Sequence, residues 1–268
     1  MRNAALATVM LNLVFVFIIT ASSLFTGVAS AVVYYCAFIV PISVFFVCKS
    51  KTKIKLSPPR FTVSAENARL GAATVFPTIA IVFVISWLTS IVASEFGVDS
   101  LTDVSGNLVH VILTKAVLTA VLEELLFRYI PLSLISPYSR RSAIILSAAF
   151  FALAHCNIYQ LFYAFIAGVI FAILDLAFDS IVPSLVIHFA NNLVSIFWLR
   201  NGGSAEFVRW YVISILSLAA LSSIPIIILR RKYIRSLRAV FCNDGKIEFT
   251  VESAFFILFM LLLTILSI

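Results

Sequence analysis

Charge is scarce in this chain. Asp, Glu, Lys and Arg make up 12% of its 268 residues, against roughly 25% in soluble domains. Hydrophobic residues reach 62% and the mean hydropathy is +1.13. That balance excludes an ordinary soluble globular fold and predicts an all-α, polytopic transmembrane bundle. No polar stretch is long enough to fold alone, so residues 1–268 read as one integral membrane domain. No cleavable signal peptide is evident, because the first apolar run is followed at once by another. No repeat, heptad array or low-complexity linker is visible. The pair Pro58-Pro59 marks a loop. The cysteines, Cys36, Cys48, Cys156 and Cys242, match no zinc or redox spacing, so they read as small apolar residues and one loop thiol.

What the chain does have is apolar runs of about 20 residues, the length a span needs. Nine candidates fall at roughly 4–24, 29–48, 72–94, 108–135, 142–156, 158–178, 180–199, 210–229 and 253–268, which predicts about eight or nine membrane segments. The fifth and ninth are short. The net charge of +7 is no nucleic-acid footprint, because its placement is that of a topology signal. Lys49, Lys51, Lys53, Lys55, Arg60 and Arg69 fill the second loop. Arg140 and Arg141 follow the fourth span, and Arg230, Arg231, Lys232, Arg235, Arg238 and Lys246 fill the last loop. The opposite loops hold only Arg200 and Arg209, with Glu95, Asp99, Asp103 and Glu206. The positive-inside rule puts the amino terminus and the basic loops in the cytoplasm. The lipid bilayer is thus the first expected partner, and no nucleic acid is expected.

Few strongly polar side chains remain inside the spans. The fourth carries Lys115, Glu123, Glu124 and Arg128. An ionised carboxylate in hydrocarbon costs at least ~2.5–3.5 kcal/mol, so two adjacent ones must face protein, water or a partner. His155 ends the fifth span. The seventh holds Ser184, His188, Asn191, Asn192 and Ser195. Glu124 and Arg128, Phe151 and His155, and His188 and Asn192 are each four apart, so each pair shares a helix face. Glu123, His155 and Asn192 lie roughly 15–20 Å from the predicted cytoplasmic helix ends, so they can meet near the bilayer midplane. Lys115 is expected to snorkel outward. Asp175 and Asp179 are expected at solvated helix ends.

Two carboxylates, two imidazoles, an amide and a guanidinium make a hydrolytic set. A desolvated carboxylate can act as a base, an imidazole can share the proton of an attacking water, and Asn and His can donate to an oxyanion. No Ser or Cys sits in a nucleophile motif. Glu-Glu-x-x-x-Arg, Phe-x-x-x-His and His-x-x-x-Asn, in this order on successive spans, resemble the three motifs of the CPBP family, which includes Rce1-type CAAX prenyl endopeptidases and bacterial Abi relatives. The resemblance covers about residues 108–199. It implies that Glu123 and His155 activate water, that Glu124 supports the site and pairs with Arg128, that His188 and Asn192 form an oxyanion hole, and that Phe151 packs beside it. Asp179, where relatives often have Gly, and Cys156, where an aliphatic residue is common, depart from the pattern.

The expected activity is intramembrane endopeptidase cleavage of a membrane-associated protein or peptide. The alternatives are a non-catalytic immunity or binding protein of the same fold, and a proton-coupled transporter. No cofactor is expected. A zinc site from His155, His188 and one Glu is the chemical alternative, although no His-Glu-x-x-His helix is present. Neither the substrate nor the oligomeric state is legible.

Overall fold

The computed structural model describes residues 1–49, 51, 56–95, 104–201, 205–241, 247 and 250–266. Lys53, Lys55, Asp99, Asp103, Cys242 and Lys246 lie outside them, as do the side chains of Glu95 and Arg230. Among the described residues the protein is helical, and its one β-bridge joins two loops.

Helices α1 (Arg2–Ser22) and α2 (Gly27–Lys49) pair as a hairpin. Next come α3 (Ala65–Glu95), α4 (residues 108–135), α5 (Arg140–Ala154), α6 (Ile158–Phe178), α7 (Val182–Asn201) and α8 (Ala205–Ile228). Two shorter helices follow, α9 (Arg230–Phe241) and α10 (Val251–Leu266). Six helices, α1, α2, α3, α6, α7 and α8, contain stretches long and apolar enough to cross a membrane. The nine apolar runs all become helix. The last basic loop does not stay a loop. Its first part is α9, whose apolar residues gather with helical period on one side and leave most of the basic residues beside them.

The centre of the bundle is α5. Its 15 residues rise only about 22 Å, too little for a ~30 Å hydrocarbon core. It is nevertheless almost wholly buried, from Ser142 to Leu153. A short helix suffices because protein surrounds it: α6 lies along it, and α4 and α10 also pack on it. The contact with α6 is close because both surfaces are small. Ala164, Gly168 and Ala172 recur every four residues on α6, a spacing that lets helix backbones approach. A Cβ on Gly168 would stand 3.0 Å from Ala148 Cα and 3.1 Å from Arg128 Nη2. Only glycine fits there without displacement.

Local chemistry sets the helix ends. Asn107 caps α4 by accepting from the His110 N–H at 3.2 Å, and Ser139 caps α5 by accepting from Ser142 at 3.1 Å. Cys156 ends α5 at φ +45°, and Asp179 ends α6 at φ +50°. These are left-handed positions, where glycine is the usual occupant. Both positions where the sequence departs from the resembled pattern are therefore helix stops. Asp179 also takes an ion pair with Arg60 at 3.0 Å.

Backbone bonds gather the loops into one end. Ser57 N–H donates to Ser133 O at 3.0 Å, Arg60 N–H to Asp179 O at 3.1 Å, and Ile181 N–H to Arg60 O at 2.9 Å. At the same end Arg140 Nη1 donates to Ala239 O at 2.5 Å. The loop after α2, the α4–α5 turn, the α6–α7 turn and α9 thus share one basic end, as the charge pattern predicts. Arg200 is at the opposite end, donating to Val104 O and Gly106 O at 2.8 and 2.7 Å.

Aromatic packing carries the core from this scaffold to the polar residues. Phe15 meets Phe38 and Phe127 at 4.9 and 5.3 Å between centroids, and Phe127 meets Phe151 at 6.0 Å. Each such pair is worth about 0.5–1.5 kcal/mol beyond its buried area.

Candidate active site

The site begins with an irregular helix. Two stretches of α4, Ile112–Leu118 and Leu125–Tyr129, have π-helical backbone, a feature that concentrates at functional sites. The second has a visible cause. Pro131 has no N–H to give to the carbonyl four residues back, which belongs to Phe127. That carbonyl is used elsewhere: it accepts from Ser147 Oγ at 2.5 Å and from Arg128 Nη1 at 3.1 Å. A proline in the fourth span thus holds a serine of α5 and fixes the arginine.

Adjacent residues on a helix point about 100° apart, and the two glutamates divide accordingly. Glu123 faces a cavity of about 470 Å³, which His155, His188, Asn192 and Phe151 also line. Glu124 is fully buried behind it, as is Arg128. Oε2 of Glu124 lies 3.7 Å from Nε of Arg128, an ion pair without a hydrogen bond. The guanidinium also donates from Nη1 to Ser147 O at 3.3 Å, and its Cζ stands 4.3 Å over the Phe151 ring. Of the six predicted site residues, four meet at the cavity and two support it from within.

The partners of the two histidines indicate which ring nitrogens donate. His188 Nδ1 lies 2.7 Å from Glu124 Oε1. A carboxylate only accepts, so Nδ1 carries the hydrogen. Nε2 then points to Glu123 Oε2 at 3.5 Å. Phe151 and Phe171 wall the ring at 5.6 and 5.8 Å between centroids. His155 Nδ1 donates to Phe151 O, four residues back, at 2.8 Å, which leaves its Nε2 lone pair available when the ring is neutral. Asn192 Nδ2 donates to Lys115 O at 3.2 Å. That bond uses one of its two N–H groups.

Some residues sit elsewhere than the sequence predicts. Asp175 is not solvated. It is fully buried, and its Oδ1 accepts from the Ser184 N–H at 3.2 Å. The first turn of α7 has free N–H groups and a positive dipole end, and this carboxylate answers both. Lys115 is exposed as expected, yet it lines the same cavity as Glu123. Tyr34 of α2 also lines it. Two contributors carry visible signals: Gly168 stands in a small-residue series, and Pro131 stands three residues after Arg128. Among the described residues, no group of three or more His, Cys, Asp or Glu is arranged to hold a metal ion.

Residues 105–194 match the protein family described as Type II CAAX prenyl endopeptidase Rce1-like. The matched segment runs from just before α4 into α7 and contains all six of these residues. No curated protein and no solved structure matches the chain. The segment is an Rce1-like region, set within a multi-pass helical membrane protein.

Proposed function

We propose that this protein is an intramembrane endopeptidase that hydrolyses a peptide bond of a membrane-associated protein or peptide with a glutamate-activated water. The observation that carries the proposal is the convergence of Glu123, His155, His188 and Asn192 on one cavity, backed by a buried Glu124–Arg128 pair.

Each group has a chemical part. Glu123 takes a proton from water, and His155, which lines the same cavity, shares it through Nε2. The oxygen adds to the scissile carbonyl carbon, and the carbonyl oxygen becomes an oxyanion. The second N–H of Asn192 can donate to it, and so can His188 Nε2 when it carries a hydrogen. When the C–N bond breaks, the proton held by Glu123 passes to the leaving amine. Glu124 holds His188 in one orientation, and Arg128 offsets the charge of Glu124. The chemistry requires no metal. The amino terminus and the basic end lie in the cytoplasm by the charge rule, and the substrate reaches the cavity from the bilayer or its surface.

The test is a cleavage assay in which candidate membrane-bound precursor peptides are co-expressed with wild type or with Glu123→Gln. Glutamine keeps the size and removes the base, so turnover drops by ~10²-fold or more while the protein still accumulates in the membrane. Wild-type turnover by the Gln variant on a validated substrate refutes the assignment.

A further inference from the structure

Among the described residues, none of α9 lines the cavity, and its surface is unlike that of the other described helices. Its sequence is Arg230-Arg231-Lys232-Tyr233-Ile234-Arg235-Ser236-Leu237-Arg238-Ala239-Val240-Phe241. At 100° per residue, Tyr233, Ile234, Leu237, Val240 and Phe241 fall within an arc of about 120°, and Arg231, Arg235 and Arg238 fall together on the arc that adjoins it beside Ile234. The protein covers only part of the apolar face. Val240 is buried, and Tyr233 packs against the cluster around Phe171 and Phe178. Ile234 and Phe241 stay 44% and 39% exposed. They form a flank bordered by Arg231 and Arg238, both exposed.

What covers that flank follows from where α9 begins. Helix α8 is the most lipid-facing of the candidate spans, with only 6% of its apolar window buried. Its last residues, Ile227 and Ile228, are 65% and 73% exposed. Leu229 breaks the helix, and α9 then leaves α3, the partner of α8, to pack on α6 and α5. The exposed apolar residues that end α8 are thus followed, after one turn residue, by a helix whose Ile234 and Phe241 are also exposed, and this is where a candidate span ends. The position is fixed from the other side as well, since Arg140 and Arg141 donate to the last carbonyls of α9, Ala239 O at 2.5 Å and Phe241 O at 3.4 Å. An exposed apolar flank just past the end of a lipid-facing span, with arginines beside it, is the chemistry of a helix lying in the membrane interface.

We propose that α9 binds anionic phospholipids in the leaflet at the basic end, with Ile234 and Phe241 against the first acyl carbons and Arg231, Arg235 and Arg238 on the phosphates. The site is independent of the peptidase reaction. Its test measures binding to the full-length protein in a zwitterionic detergent, titrated with fluorescent phosphatidylglycerol or phosphatidylcholine. Phosphatidylglycerol should bind at least 10-fold more tightly at low salt, and the preference should shrink as salt is added. Each cation near an anionic surface contributes roughly 5-fold, so the triple variant R231Q/R235Q/R238Q should lose on the order of 100-fold. Ile234→Gln with Phe241→Gln should weaken phosphatidylglycerol several-fold, and K49Q/K51Q, also at the basic end, should change little. Equal binding of the two lipids overturns the proposal, as does a K49Q/K51Q loss matching that of the triple variant. A soluble polyglutamate that binds as tightly as the lipid, with no effect of the Ile234 and Phe241 changes, would mark a general anion surface and also overturn it.

Discussion

Arg128→Leu tests the electrostatics on which the site is built. In the native protein both Arg128 and Glu124 are fully buried. The guanidinium faces Glu124 Oε2 at 3.7 Å, donates to Phe127 O and Ser147 O, and lies on the Phe151 ring. Leucine fills part of the space and removes every one of these interactions. Glu124 keeps the His188 Nδ1–H at 2.7 Å but loses its compensating charge. Removing one member of a buried pair costs about 3–5 kcal/mol. The retained His188 bond and the leucine's own packing place this variant near the lower end of that range. The double variant Arg128→Leu/Glu124→Gln removes both charges, and it should recover at least half of the loss. The assay is reversible denaturant unfolding of the four proteins in the same detergent, read as a double-mutant cycle. A single-variant loss below about 1 kcal/mol, or a double variant worse than the sum of the singles, shows that the pair is not the support described above.

Gly168→Val puts a Cβ 3.0 Å from Ala148 Cα and 3.1 Å from the Arg128 guanidinium, so it should cost ~1–3 kcal/mol by overpacking, measured by thermal melting. Asn192→Ala should lower kcat by ~10²–10³ with KM little changed, as expected for an oxyanion donor. Chelators should leave cleavage intact. Stoichiometric zinc, lost on either His155→Ala or His188→Ala and accompanied by chelator-sensitive cleavage, would replace the glutamate mechanism with a metal one. Reporters fused between α2 and α3 and between α7 and α8 should signal cytoplasm and outside respectively, and a same-side result would mean that a segment between them does not cross.

The apolar runs were readable because burial in lipid and burial in protein both demand long hydrophobic stretches, and all nine became helix. The same feature hid what distinguishes them. The shortness of residues 142–156 already set that run apart from a full crossing, but nothing in its composition showed that α5 would be the enclosed centre of the bundle. The paired acids were legible because an intramembrane charge demands a reason. Their division, Glu123 toward the cavity and Glu124 behind it, follows from helical phase, but phase fixes no absolute direction until neighbours are known. Helix α9 was unreadable as structure because its basic residues already had a complete explanation as a topology signal. Asp175 shows the same effect in reverse. Its position at a predicted helix end suggested water, yet the end is covered, and the carboxylate finds the N–H of Ser184 on the next helix. A charge near a span end is therefore ambiguous in sequence between solvent and the terminus of a neighbouring helix. Only the turn between the two elements resolves it, and here that turn is closed by Asp179 at positive φ and tied to Arg60. The residue that departs from the expected glycine is thus the one at which α6 stops and the chain turns toward Ser184.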